Sequence, residues 1–183
     1  MARSLLTYWK NIRTTGMIMP TTTFAVDHML RGVDFEQCQN VAEFGSGDGH
    51  TTKMILSHLP KTAKLFAFEI NEDLRRSLEL ITDPRLVIIP RGAETLQQVL
   101  QEQQVPNIDT IISFIPMSIL PKPLVQGILQ SSKHCLKPGG KFSQIQYNLK
   151  MRPLLREVMP GSYFTLEMRN IPPAFLGHWF KKV

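Results

Sequence analysis

The sequence predicts an α/β fold, a doubly wound, mostly parallel seven-stranded sheet that ends in an antiparallel hairpin. Three observations carry this. From Asn40 to Tyr147, short apolar runs of strand length alternate with segments of helical spacing, the pattern of parallel strands joined by crossover helices. Two more strand-like runs follow, separated by Asn170-Ile171-Pro172-Pro173, whose residue types favour a tight turn. The first strand also runs straight into a loop with three alternating glycines, Gly45, Gly47 and Gly49, that opens a helix.

The elements are expected in this order. Residues 3–13 place Leu5, Leu6, Trp9 and Ile12 on one helical stripe flanked by Arg3, Lys10 and Arg13, and Gly16 ends it. A second helix spans 23–31, entered through Pro20-Thr21-Thr22, which offer capping hydroxyls. Strand 40–44 leads through the glycine loop to helix 51–59, which Pro60 stops. Strand 64–69 and helix 72–80 follow, with Asp73 near the helix start. Then come strand 86–89, helix 94–103 and strand 109–114. Helix 122–136 closes at Lys137-Pro138-Gly139-Gly140, before strand 141–147. A short helix at 151–158 precedes hairpin strands 163–169 and 174–181.

A chain of 183 residues suits one domain, 1–183, with 1–32 as an N-terminal helical lid or membrane-contact segment. The net charge of +6 favours anionic partners such as nucleic acid, acidic lipid or phosphorylated small molecules. Cys38 and Cys135 are too few for a disulfide framework or a structural zinc site, which points to reduced thiols and a cytoplasmic location. The most apolar run, 111–120, has about half the roughly 20 residues a membrane span needs, and Pro116 interrupts it. His50 and His58 lie 58 − 50 = 8 apart with no carboxylate between, and the other histidines are isolated, so no metal is expected.

The glycine loop suits backbone approach to a nucleotide-like ligand, but not a dinucleotide. That fingerprint needs its third glycine three residues after the second, where this chain has His50. The run Val41-Ala42-Glu43-Phe44-Gly45-Ser46-Gly47-Asp48-Gly49 instead resembles motif I of the class I S-adenosylmethionine-dependent methyltransferases, which are Rossmann-like. The resemblance implies that Gly45, Ser46, Gly47 and Gly49 cradle the methionine end of S-adenosylmethionine. It gives Glu43 the task of orienting the amino group through water or backbone. Glu69, 69 − 49 = 20 residues after the last glycine, ends the second strand, where a carboxylate can accept both ribose hydroxyls. Ile70 would pack on the adenine. Many such enzymes carry an acid for the adenine amine where this chain has Gly92, so backbone from Gly92 and Ala93 would take that place.

Ligands bind beyond the carboxyl ends of such strands, so Ser113-Phe114-Ile115-Pro116-Met117 should flank the transferred methyl. A further resemblance, to bacterial phospholipid N-methyltransferases, rests on four stretches. They are Ile12 through Thr22, Ser113-Phe114-Ile115-Pro116, Gln144-Ile145-Gln146-Tyr147 and Arg169-Asn170-Ile171-Pro172-Pro173-Ala174. Phe114 and Thr21-Thr22 depart from that family's glycine and serines. The resemblance implies methylation of the amine of phosphatidylethanolamine or a related amino lipid. The Ser113 hydroxyl, the backbone carbonyls near Pro116 and Tyr147 would accept hydrogen bonds from that amine, and Ser113 would also contact the cofactor. The N-terminal helix would then either meet an anionic membrane at the inner face through Trp9, Lys10 and Arg13, or pack as a lid. Two other readings stay open: an RNA adenine methyltransferase, which the missing Asn/Asp-Pro-Pro-aromatic motif disfavours, and a non-catalytic S-adenosylmethionine-binding module.

Overall fold

The computed structural model describes residues 21–182. The expected helix at 3–13 and the segment through Pro20 lie outside the described residues. The strands are β1 (Asn40–Phe44), β2 (Lys64–Phe68), β3 (Leu86–Ile89), β4 (Ile108–Ser113), β5 (Leu136–Gln146), β6 (Tyr163–Glu167) and β7 (Ala174–Phe180). The helices are α1 (Thr23–Leu30), α2 (His50–His58), α3 (Glu72–Leu78), α4 (Leu96–Glu102), α5 (Lys122–Cys135) and α6 (Arg152–Val158). One sheet runs β3-β2-β1-β4-β5-β7-β6. Its first five strands are parallel, and β7 lies antiparallel between β5 and β6. The strand order reverses between β1 and β4, which opens a crevice at the carboxyl ends of those two strands.

Alternation along the central strands sorts the core into two layers. Val41, Leu65, Ile112 and Ile145 point to α1 and α2, where Val26, Met29, Ile55 and Leu56 meet them. Phe44, Phe66, Ile111 and Phe142 point the other way, to Leu96 and Val99 of α4, Ile128 and Leu129 of α5, and Leu154 and Leu155 of α6. Both faces are covered, which is why these strands read as nearly continuous apolar runs. Phe44 and Phe68 meet edge to face, 5.3 Å between ring centres. Burying each such side chain is worth about 1.5–3 kcal/mol.

The helix entries follow from the sequence. The Thr22 hydroxyl accepts the Ala25 N–H at the start of α1, and the Asn71 side chain accepts the N–H groups of Asp73 and Leu74 at the start of α3. The C-terminal ends of the elements sit at, or up to two residues inside, the expected limits, as fraying ends do. Glu69 therefore stands just beyond β2, and Tyr147 just beyond β5.

One expectation is corrected. Residues 137–140 are not merely the turn that closes α5, because β5 already begins at Leu136. The register jumps from Ile108↔Leu136 to Thr110↔Lys141, so the intervening residues bulge out of the parallel ladder. They find partners on the other side. The Gly139 N–H donates to the Lys181 carbonyl at 2.8 Å, and the Lys181 N–H donates to the Gly140 carbonyl at 2.9 Å. The glycines there read as a stop signal, but they serve a bulge that satisfies its own backbone.

α1 is tied along its length to the hairpin half of the sheet. Lys141 Nζ donates to the carbonyls of Met29 (2.9 Å) and Arg31, and the Ser143 hydroxyl donates to Met29 as well (3.1 Å). A cation at a helix C-terminus meets the negative end of the helix dipole. Burial nonetheless lowers the Lys141 pKa to about 8. His28 pairs with Glu167 at 3.0 Å. No described helix is long and apolar enough to cross a membrane.

Candidate active site

The glycine loop takes its shape from three left-handed residues: Gly45 at φ +76°, Gly47 at +58° and Gly49 at +88°. Side chains there would be strained, so the alternation of glycines is a conformational requirement. The N–H groups of Gly45 and Ser46 both donate to the Phe68 carbonyl, at 2.9 and 3.3 Å. The loop is thereby stitched to the end of β2.

Two carboxylates hold this loop from either side. Glu43, on β1, is fully buried beneath it. It accepts the hydroxyls of Thr51 and Thr52 (the latter at 2.6 Å) from the first turn of α2. Burial pushes its pKa up, and those two hydroxyls oppose the shift. In this position Glu43 locks strand, loop and helix together and touches no solvent. Glu69 sits at the rim and accepts the N–H of Gly47 at 2.9 Å and that of Asn71 at 2.8 Å. Its pKa is raised chiefly by burial, against the pull of those two N–H groups and of Arg75. Arg75 also donates to the Ile70 carbonyl at 2.9 Å, fixing the turn that carries Ile70.

Gly92 and Ala93 follow β3, with Ala93 buried at the head of a short 3-10 turn. The carboxylate of Glu94 folds back over Gly92. A Cβ placed on Gly92 would lie within 2.3–2.7 Å of it. An acid therefore occupies the space that a side chain at 92 would fill. The sequence marked only Gly92 and Ala93 here, since Glu94 read as the start of a helix.

On the other side of the crevice, Ser113 ends β4, fully buried, in register with Phe44 of β1 and Gln144 of β5. The three therefore share one face. The hydroxyl of Ser113 has no hydrogen-bond partner among the described residues. The carbonyls around Pro116 are engaged: Ile115 accepts the Met117 N–H and Gln144 Nε2, each at 2.8 Å, and Pro116 accepts the Ile119 N–H at 3.2 Å. Tyr147 packs with Phe114 against the α1–α2 layer, its hydroxyl buried and unpartnered. Ser113 and Tyr147 thus lie toward opposite layers. Gln144 and Gln146 were not singled out as site residues, although two polar residues at alternate positions of a central strand were a readable signal. Among the described residues, no group of His, Cys, Asp and Glu side chains could hold a metal ion.

Solved structures share this architecture. TrmN from Thermus thermophilus superposes with a TM-score of 0.66 and 17% identity, over 87% of this chain and 48% of its own, so the present chain spans about half of that protein. SMU.1697c from Streptococcus mutans, in complex with SAH, gives a TM-score of 0.63 and 20% identity, over 89% of this chain and 99% of its own. The sheet order, the glycine loop and the terminal hairpin are those of the class I S-adenosylmethionine-dependent methyltransferase fold. Among curated proteins, the chain is similar to an ornithine lipid N-methyltransferase of Singulisphaera acidiphila, with 25% identity covering 91% of this chain and 88% of the relative. No protein-family model matches the chain.

Proposed function

We propose that this protein is an S-adenosylmethionine-dependent N-methyltransferase acting on the primary amine of an amino lipid, such as phosphatidylethanolamine or an ornithine lipid. One observation carries the cofactor assignment: the Glu69 carboxylate stands at the strand-end rim against the Gly47 N–H, beside a loop built from three left-handed glycines. Those residues fit the group. Gly45, Ser46, Gly47 and Gly49 would hold the methionine end, and Glu69 the ribose hydroxyls, with Ile70 against the base. Glu94 places a carboxylate over Gly92 and Ala93, where the adenine amine would need an acceptor. Glu43 supports the loop from beneath through Thr51 and Thr52.

The bound cofactor supplies an electrophilic sulfonium methyl. The residues of the chain supply alignment, which accounts for most of the rate in a methyl transfer. The attacking amine must be neutral, so it first gives up a proton to water. The residues that flank the amine would hold its lone pair in line with that methyl group. Ser113, at the end of β4, and the loop through Pro116 would flank the attacking amine, whereas Tyr147 lies toward the opposite layer.

The lipid assignment is supported by the likeness to the ornithine lipid enzyme over nearly all of both chains. Exposed apolar residues at the same edge of the sheet agree with a lipid substrate: Phe24, Met168 and Ile171 stand open there, with Arg169 over the Phe24 ring at 4.5 Å. Incubation with methyl-labelled S-adenosylmethionine and either vesicles of phosphatidylethanolamine and ornithine lipid or total RNA tests the reading. Label should enter the lipid phase. Label in RNA, or tight cofactor binding with no transfer to either, would overturn it.

A further inference from the structure

We infer that Gln144, with Ser113 beside it, forms the amine-binding acceptor pair of the active site. This rests on the reading of the crevice as a methyl-transfer site and goes beyond it by naming what receives the acceptor's N–H groups. The argument starts from the Gln144 amide. Its Nε2 donates to the carbonyls of Ile115 (2.8 Å) and Ile145 (2.6 Å), which fixes which end of the amide is nitrogen. Its oxygen is left buried with no partner among the described residues. The Ile115 carbonyl would otherwise be free to receive a substrate N–H. It is saturated, with one hydrogen bond from Met117 and one from Gln144. Gln144 thus takes up the loop's acceptor and offers Oε1 in its place.

Three further observations converge. Ser113 is in register with Gln144 across β4 and β5 and also carries a buried, unpartnered hydroxyl oxygen. Gln146, two residues along the same face, presents another unpartnered amide oxygen. Asn148 Nδ2 donates to the Ser118 hydroxyl at 3.3 Å, bridging the segments that follow β5 and β4. Buried polar atoms are almost always paired, and each orphan costs about 1–3 kcal/mol. Gln144, Ser113 and Gln146 supply three oxygens at which no donor among the described residues is directed. A primary amine or ammonium, which brings several N–H donors on one atom, is the complementary ligand.

The test uses the full chain saturated with SAH and dihexanoyl-phosphatidylethanolamine as the probe, with calorimetry for both ligands. Ser113→Ala and Gln144→Met should each weaken the probe at least tenfold and leave SAH affinity within twofold. Ser113→Ala removes an unsatisfied buried group, so its Tm should hold or rise. Probe affinity unchanged in both variants would overturn the assignment. So would a lower Tm for Ser113→Ala with unchanged probe binding, which marks a structural hydrogen bond. Loss of SAH affinity instead of probe affinity would also overturn it, because the oxygens would then serve the cofactor's own amino group. A wild-type chain that binds SAH but not the probe overturns this inference and leaves the cofactor site standing; one that binds neither overturns both.

Discussion

Thr22 and Asn170, separated by 148 positions, are joined by two hydrogen bonds to one oxygen: the Thr22 backbone N–H reaches Asn170 Oδ1 at 3.0 Å and its hydroxyl at 3.1 Å. Asn170 is fully buried, and its Nδ2 donates to the Pro172 carbonyl at 2.8 Å. One amide therefore holds both the entry to α1 and the turn between β6 and β7. Asn170→Ala would strand the Thr22 N–H and the Pro172 carbonyl. It should cost about 2–4 kcal/mol, a fall in Tm of roughly 4–16 °C in a chain of this size. Asn170→Asp keeps the acceptor and should lose less. Thermal unfolding of the two variants decides the matter, and equal losses would refute the two-sided role.

The glycine loop predicts a graded response. At Gly47 a Cβ would meet nothing within 4 Å, so Gly47→Ala should cost only the left-handed strain, about 1–2 kcal/mol. At Gly49 the Cβ would fall 2.8 Å from Ile81 and 3.1 Å from Leu78, so Gly49→Ala carries the same strain plus a clash with core side chains. Denaturant titration should rank Gly49→Ala as the less stable variant. The reverse order would show that the loop is not held as described.

Glu69 should control cofactor affinity in a pH-dependent way. Burial raises its pKa, so it protonates above the usual glutamate range. SAH affinity should therefore decline as pH falls. Glu69→Gln, a permanent mimic of the protonated form, should bind about 10–100-fold more weakly at pH 7.5 if each lost charge-assisted hydrogen bond is worth about 1.5–3 kcal/mol. Its affinity should no longer follow pH. Calorimetry across pH 5–8 measures both, and a wild-type affinity that is flat over that range counts against the role.

His178 predicts a stability change on acidification. It is buried, 3.0 Å from the Thr165 hydroxyl and 3.3 Å from that of Ser143, between the rings of His28 and Tyr163. Lys141 adds a nearby positive charge, and Glu167 and Arg169 lie beyond His28. Burial first, then Lys141 and His28, lower its pKa from 6.5 to about 4. The unfolded chain thus binds a proton between pH 6.5 and pH 4 that the folded chain refuses. The stability present above pH 6.5 should shrink as pH falls toward 4, by about 2 kcal/mol once solvent screening is allowed for. Guanidinium unfolding at pH 7 and pH 5 should show the loss, and His178→Gln should flatten it. Equal slopes for the two proteins would assign the acid sensitivity elsewhere.

Legibility in the sequence followed how local the physics was. The strand–helix alternation, the glycine loop and the turn at 170–173 each declare themselves within a dozen residues, and the fold was readable from them. The position of Glu69 followed from chain order alone. The bulge at 137–140 was not readable, because its partner Lys181 lies in another element. Gln144 stood out in its stretch, but its role did not, because that role depends on Ile115, 29 positions away, whose carbonyl it engages. Glu94 was hidden by the fold-back of its side chain over Gly92, a rotamer choice that no residue pattern announces.

The two anchored points of the described chain lie at opposite ends of the same strands. Thr22 is fastened beside the β6–β7 turn, at the end where β5 finishes and substrate would arrive, whereas Lys181 is fastened to Gly139 and Gly140 at the other end. A fusion partner or affinity tag appended after Lys182 therefore hangs away from the crevice.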